Sequence, residues 1–152
     1  MPRKTPSFKD LQPASELHSR VKRKNQRTDT LHELTLRREL WRLGLRYRKN
    51  VASLPGKPDI VFNQARVAVF CDGDFWHGRH WKKLKLKLVH GTNPSYWIAK
   101  IASNIQRDKQ TNALLEKSGW RVIRLWETDI RKDPTACALM IEKIVDEREK
   151  KL

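Results

Sequence analysis

The runs "DIVF" (59–62) and "RVAVF" (66–70) are separated only by Asn63, Gln64 and Ala65. So short a link between two β-rich runs leaves the chain little choice but an antiparallel hairpin. Closed by a four-residue loop, the hairpin sets Phe62 opposite Val67 and Asp59 opposite Phe70. Asp72 is then the same-face diagonal neighbour of Asp59, about 7–8 Å away at the backbone. A slip of one residue would put the two acids on opposite faces. Beyond the second run comes "CDGDFWHGRHW", which crowds acids, histidines and aromatics at a strand end. Side chains can meet there while the strand interiors stay packed.

The remaining elements frame that hairpin. Thr30 and Glu33 stand at capping-box spacing, Leu36, Leu40 and Leu43 recur at helical intervals, and Gly44 supplies a stop, so the chain opens on a helix. "LRYRKNVASLPGKP" reads as a short extended segment and a turn at Pro55-Gly56. "KKLKLKLV" alternates lysine with leucine, which predicts an edge ribbon with one basic face. Asn93, Pro94 and Gly119 bracket a long helix whose buried side is marked by Trp97, Ile101, Ile105 and Leu115. "WRVIRLW" predicts a central strand, and Asp133 caps a last helix. The order is α-β-β-β-α-β-α, an α/β sandwich around a mixed sheet. Residues 28–152 form a single domain on this reading, and residues 1–27 a basic arm, flexible or ordered by a partner.

Charge narrows the partner. Lys and Arg outnumber Asp and Glu by 33 to 17, a net charge of +16. Like-charge repulsion opposes compaction, and a polyanion such as double-stranded DNA offsets it. Two cysteines without a CxxC pair exclude a disulfide framework and a thiolate-rich zinc site. The N-terminus has no apolar run behind its basic residues, and no window approaches a membrane span. A cytoplasmic, nucleoid-associated monomer that avoids membranes is expected.

Asp59 and Asp72 at the hairpin spacing suit one hard cation, each at about 2.0–2.1 Å, with water and phosphate oxygens completing an octahedron. They equally suit a turn residue after proline and a D-G turn. His77 titrates in the range of a general acid or base, or is a loop histidine bonded to its neighbours. Glu33 is either the capping-box acid or a member of the site. Phe75 and Trp76 either pack inward or wedge between bases. Lys22, Arg23, Lys24, Arg27, Lys57 and Arg79 are candidate phosphate contacts. Asn104, Arg107 and Asp108 share a helix face as a polar brace, with Arg107 a further candidate for phosphate.

Four motifs in order carry a resemblance. They are P-D after L-P-G, G-x-F-W-H, N-x-x-R-D and G-W-R-V-x-x-x-W-E, spread over about residues 19 to 130. They resemble the very-short-patch repair (Vsr) endonucleases, a branch of the PD-(D/E)xK nuclease superfamily. The resemblance implies a restriction-endonuclease-like sandwich, its mixed central β-sheet flanked by helices. It also implies magnesium-dependent nicking of DNA beside a T:G mismatch, with manganese an allowed substitute. By the same resemblance Asp59 is a metal ligand, Cys71 lends a backbone carbonyl to the metal, and His77 is catalytic. Glu33 falls near the site, and Phe75 and Trp76 match aromatics that enter the base stack.

Three departures qualify it. The family's structural zinc is usually held by three cysteines and a histidine, and the matching positions here are Asp74, Arg79, Trp81 and Thr128, so no zinc is expected. Asp72 stands where a second histidine is usual, which makes the site a two-acid one. Lys22 replaces an apolar residue of the arm, although Val21 is adjacent. The reading is therefore a magnesium-dependent DNA endonuclease, mismatch-selective or directed by a repair or restriction-modification partner. The alternatives are a non-catalytic nucleic-acid-binding module and a ribosome-associated basic protein.

Overall fold

The computed structural model describes residues 28–152. The arm, with Lys22, Arg23, Lys24 and Arg27, lies outside the described residues. Nine elements follow: α1 (Leu31–Arg42), β1 (Arg48–Lys49), β2 (Ile60–Phe62), β3 (Val67–Asp72), α2 (Trp81–Val89), α3 (Pro94–Lys117), β4 (Arg121–Trp126), α4 (Glu127–Lys132) and α5 (Pro134–Lys151). The strands order as β1-β2-β3-β4, antiparallel except for the parallel β3–β4 pair. Phe62 pairs with Val67 and Ile60 with Val69, the register the short link requires.

β3 is buried along its whole length, which is why Val67 to Cys71 form an unbroken apolar run before Asp72 at its end. Val67, Val69 and Cys71 join Ile123, Leu125, Leu36, Leu40, Ile141 and Val145 in a core beneath α1 and α5. Ala68 and Phe70 face the other way and pack with Leu115 of α3. Each fully buried aliphatic side chain contributes about 1.5–3 kcal/mol. The alternation also aims the strand ends: Asp72 of β3 and Arg124 of β4 share the face on which Phe70 meets α3.

Two expectations need correction. "KKLKLKLV" lies in helix α2, not in an edge strand. Trp81, Leu84 and Leu88 are its partly buried residues, an i, i+3, i+7 stripe on an element packed against α3, and Leu86 is left 68% exposed. Alternation at period two and a helical stripe coexist in this segment, and contact with α3 selects the helix. Among the described residues β4 is an edge strand rather than a central one, pairing only with β3. Ile123 and Leu125 bury into the core beneath α1 and α5, while Val122, on the other face, is only partly buried. The short α4, not anticipated from the sequence, follows β4 directly.

The loop from Gly73 to His80 is pinned to α3. Gly78 has φ +68, and a Cβ built there would lie 2.6 Å from Ile105 Cδ1 and 3.0 Å from Ile101 Cγ2. Asn104 Nδ2 donates to the Trp76 carbonyl at 2.9 Å. Gly78→Ala combines backbone strain with overpacking, about 1–3 kcal/mol together. A melting temperature lower by roughly 5 °C is expected, and thermal denaturation of the purified variant measures it.

Candidate active site

Four side chains from four segments meet where β3 and β4 end against α3. Asp72 comes from the end of β3, His77 from the loop, Asp108 from α3 and Arg124 from β4. His77 Nδ1 lies 2.6 Å from Asp108 Oδ2 and 3.7 Å from Asp72 Oδ1. An ionised carboxylate only accepts, so the short contact places the proton on Nδ1 and leaves Nε2 as the basic nitrogen. Arg124 Nη1 donates to both oxygens of Asp72, at 3.0 and 3.2 Å, and lies 3.6 Å from Asp108 Oδ1. Its Nε donates to Asn112 Oδ1 at 2.7 Å, and its guanidinium carbon stands 4.1 Å from the centre of the Phe70 ring.

Asp59 sits one residue before β2. Its amide continues the ladder to Val69 O at 3.0 Å, and its Oδ2 accepts the Cys71 amide at 2.7 Å. Burial, with the charges of Glu33 and Asp72, pushes its carboxyl up to about 7 against the opposing Cys71 hydrogen bond. Among the described residues no Lys or Arg forms an ion pair with it. Asp72 is also raised, because burial outweighs the favourable charges of His77 and Arg124. In His77, burial opposes the charged ring, but the Asp108 hydrogen bond and the Asp72 and Asp108 charges prevail and raise it. Burial raises the Cys71 thiol well above its usual range, so this residue is no nucleophile.

Glu33 is buried on α1. Its Oε2 accepts the amide of Asp29, not that of Thr30, at 2.9 Å, and it pairs with Arg37 at 3.5 Å. The Thr30 hydroxyl makes no capping bond and meets His32 Nε2 instead. The capping box thus forms in altered shape, while the charge of Glu33 reaches Asp59.

The oxygens of Asp59 and Asp72 are turned to different partners, Cys71 N and Arg124, although the two acids feel each other's charge. One donor atom each from Asp72, His77 and Asp108 lie within 4.8 Å of one another. A cation among those three would face the guanidinium of Arg124. The acid-rich surroundings of Asp59, which has no Lys or Arg ion pair among the described residues, fit magnesium better, since that ion prefers oxygen donors. Asp108 and Arg124 were not identified as site residues from sequence: N-x-x-R-D suggested only a brace, and Arg124 read as an ordinary strand residue. A strand arginine on the face that carries Asp72 was the available signal.

Around this centre, Phe75 is 37% exposed and packs edge-on with Trp76 and Trp97, both at 5.4 Å between ring centres. Lys57 is exposed. Arg107 donates to Asn104 at 3.2 Å. Arg79, expected to face phosphate, is engaged by Asp129 at 3.1 Å and Asp74 at 3.8 Å. Asp74 in turn accepts the amide and hydroxyl of Thr128 at the start of α4. Asp74, Arg79, Trp81 and Thr128 therefore fit no zinc ion: a guanidinium and hydrogen bonds link loop and helix, with one carboxylate as the sole strong donor.

A mixed sheet that ends in clustered carboxylates and a carboxylate-braced imidazole, in a chain this basic, is the frame of a DNA endonuclease. Comparison with known proteins agrees. The family model for DNA mismatch endonuclease Vsr matches residues 12–83. A type II nicking enzyme of Neisseria meningitidis serogroup C, V.NmeDIP, is 41% identical over 88% of this chain and 89% of its own length. V.HpaIIP, a type II nicking enzyme of Haemophilus parainfluenzae, is 41% identical over 84% of the chain and 89% of its own length. DNA mismatch endonuclease Vsr of Escherichia coli (strain K12) is 37% identical, covering 77% and 76%. The chain belongs to the Vsr family of DNA endonucleases. Among the described residues no helix is long and apolar enough to cross a membrane.

Proposed function

We propose that the chain nicks one strand of duplex DNA by magnesium-dependent hydrolysis, with a T:G mismatch as its preferred target. The observation that carries this reading is Asp59, a carboxyl raised to about 7 among acids, with no Lys or Arg paired to it among the described residues and the His77–Asp108 pair nearby. Asp59 would hold the ion with the Cys71 backbone carbonyl as a further donor, while Asp72, whose two oxygens accept from Arg124, would add its negative charge beside them. Manganese offers the same octahedral preference for oxygen. When bound, the ion supplies positive charge for the phosphoryl oxygens and lowers the pKa of a bound water. His77 Nε2 takes the proton of the attacking water, and Asp108 holds the ring in the tautomer that allows it. Phe75 and Trp76, on a loop pinned by Asn104 and Gly78, would wedge into the base stack.

The relatives named type II nicking enzymes, together with Asp72 and Lys22 at their altered positions, favour a second reading. In it the same chemistry is less selective, or is directed by a restriction-modification partner. Cleavage of matched and T:G-containing duplexes, with magnesium and with chelator, separates the readings. The expected result is a single-strand cut near the mismatch that requires the metal. Equal cutting of both duplexes favours the second reading. Tight, salt-sensitive binding without any cut rejects hydrolysis and leaves a basic binding module.

A further inference from the structure

Beside the cluster, on the α3 side, lies a cavity of about 280 Å³ whose two arginines the chemistry above does not use. Phe70 and Gly56 line it with His77, Arg107, Asp108 and Arg124. Its depth depends on Gly56: at φ +74, a Cβ there would stand 2.4 Å from Thr111 Cγ2 and 3.2 Å from the Phe70 ring. Two guanidinia and an imidazole share the cavity with a single carboxylate. Arg124 is held rigidly in it, with Nε on Asn112 and Nη1 on Asp72. Its Nη2 donates to no group among the described residues. An arginine clamped by two of its nitrogens at the wall of a cavity, with a third donor to spare, is arranged for a bound anion.

We propose that this cavity seats a phosphate group of the cut strand, with Arg124 Nη2 and Arg107 donating to its oxygens. The assignment rests on the DNA-cleaving reading and deepens it by adding Arg124 to the substrate-binding residues. Arg124 also answers the charge of Asp72, so one residue balances the acid and holds the phosphate. Arg107, on the next face of α3, gains a role beyond its bond to Asn104.

The test is a binding cycle in metal-free buffer with chelator, using a mismatched duplex and a set of duplexes with a single neutral methylphosphonate at each position in turn. Wild-type protein is expected to lose about tenfold in affinity at one position, and R124Q to lose about tenfold on the unmodified duplex. Combined at that position, the two changes should cost about tenfold, not the hundredfold of independent effects. R124Q should also bind with a salt slope smaller by about one, which loss of an internal brace would not produce. Hundredfold additivity at every position, or an unchanged slope, overturns the proposal. If R124Q melts early, R124K reads the same cycle, because it keeps the charge beside Asp72 but loses the fork. No cleavage is needed. Coupling in a protein that never nicks would therefore reject hydrolysis alone, and nicking without coupling would reject this pocket alone.

Discussion

Asp59→Asn is expected to abolish nicking and, in metal-free protein at pH 8, to raise the melting temperature. Both effects come from one buried charge. Burial first, then Glu33 and Asp72, push this carboxyl from 3.8 to about 7. The folded chain therefore holds a proton that the unfolded chain has released between about pH 4 and 7. Stability from this group is fully present below the unfolded value and is lost as pH rises through the folded one. Three units correspond to at most about 4 kcal/mol. Asparagine is neutral, nearly the same shape, and still accepts the Cys71 amide. The variant should melt several degrees higher than wild type at pH 8, with the gap closing towards pH 4. Magnesium should raise the melting temperature of wild type and leave the variant unmoved, because an ion that binds only the folded state stabilises it by mass action. Without the ligand that supplies charge to the phosphoryl oxygens, nicking should fall by about a thousandfold or more. A variant that nicks like wild type, or melts lower at pH 8, contradicts this account.

Asp108→Asn should lower the nicking rate by about a hundredfold or more and move its acid limb to lower pH. In wild type the Asp108 hydrogen bond and the charges of Asp72 and Asp108 raise His77 above 6.5 despite burial. A general base works only when neutral, so the rate climbs as pH rises through that raised value. Removing the carboxylate lowers the His77 value, and the climb then begins at lower pH. The plateau falls because an amide facing Nδ1 no longer enforces the tautomer with a free Nε2. Rate against pH under saturating magnesium and DNA checks both effects. An unshifted limb would mean that another group titrates.

These two residues were not equally legible. Asp59 follows from local constraints: the three-residue link sets the hairpin register, and the register sets which face each acid occupies. The caps at Asn93-Pro94 and Asp133 and the stops at Gly44 and Gly119 are local in the same way, and each ends its helix where it was expected to. Four motifs in order were enough to indicate the family. The lysine–leucine segment was not readable, because alternation and a helical stripe occupy the same eight residues and only packing against α3 chooses between them.

The sequence by itself determined the hairpin, its register, the helix ends and the basic character that calls for a polyanion, all through steric and electrostatic rules acting over a few residues. Only the tertiary structure decided the company of His77. Asp108 lies 31 residues further along the chain and Arg124 lies 52 beyond Asp72, and no periodicity spans such separations. They meet because β3 and β4 run parallel with α3 laid across them, so one face of the sheet and one face of the helix deliver their polar residues to the same end.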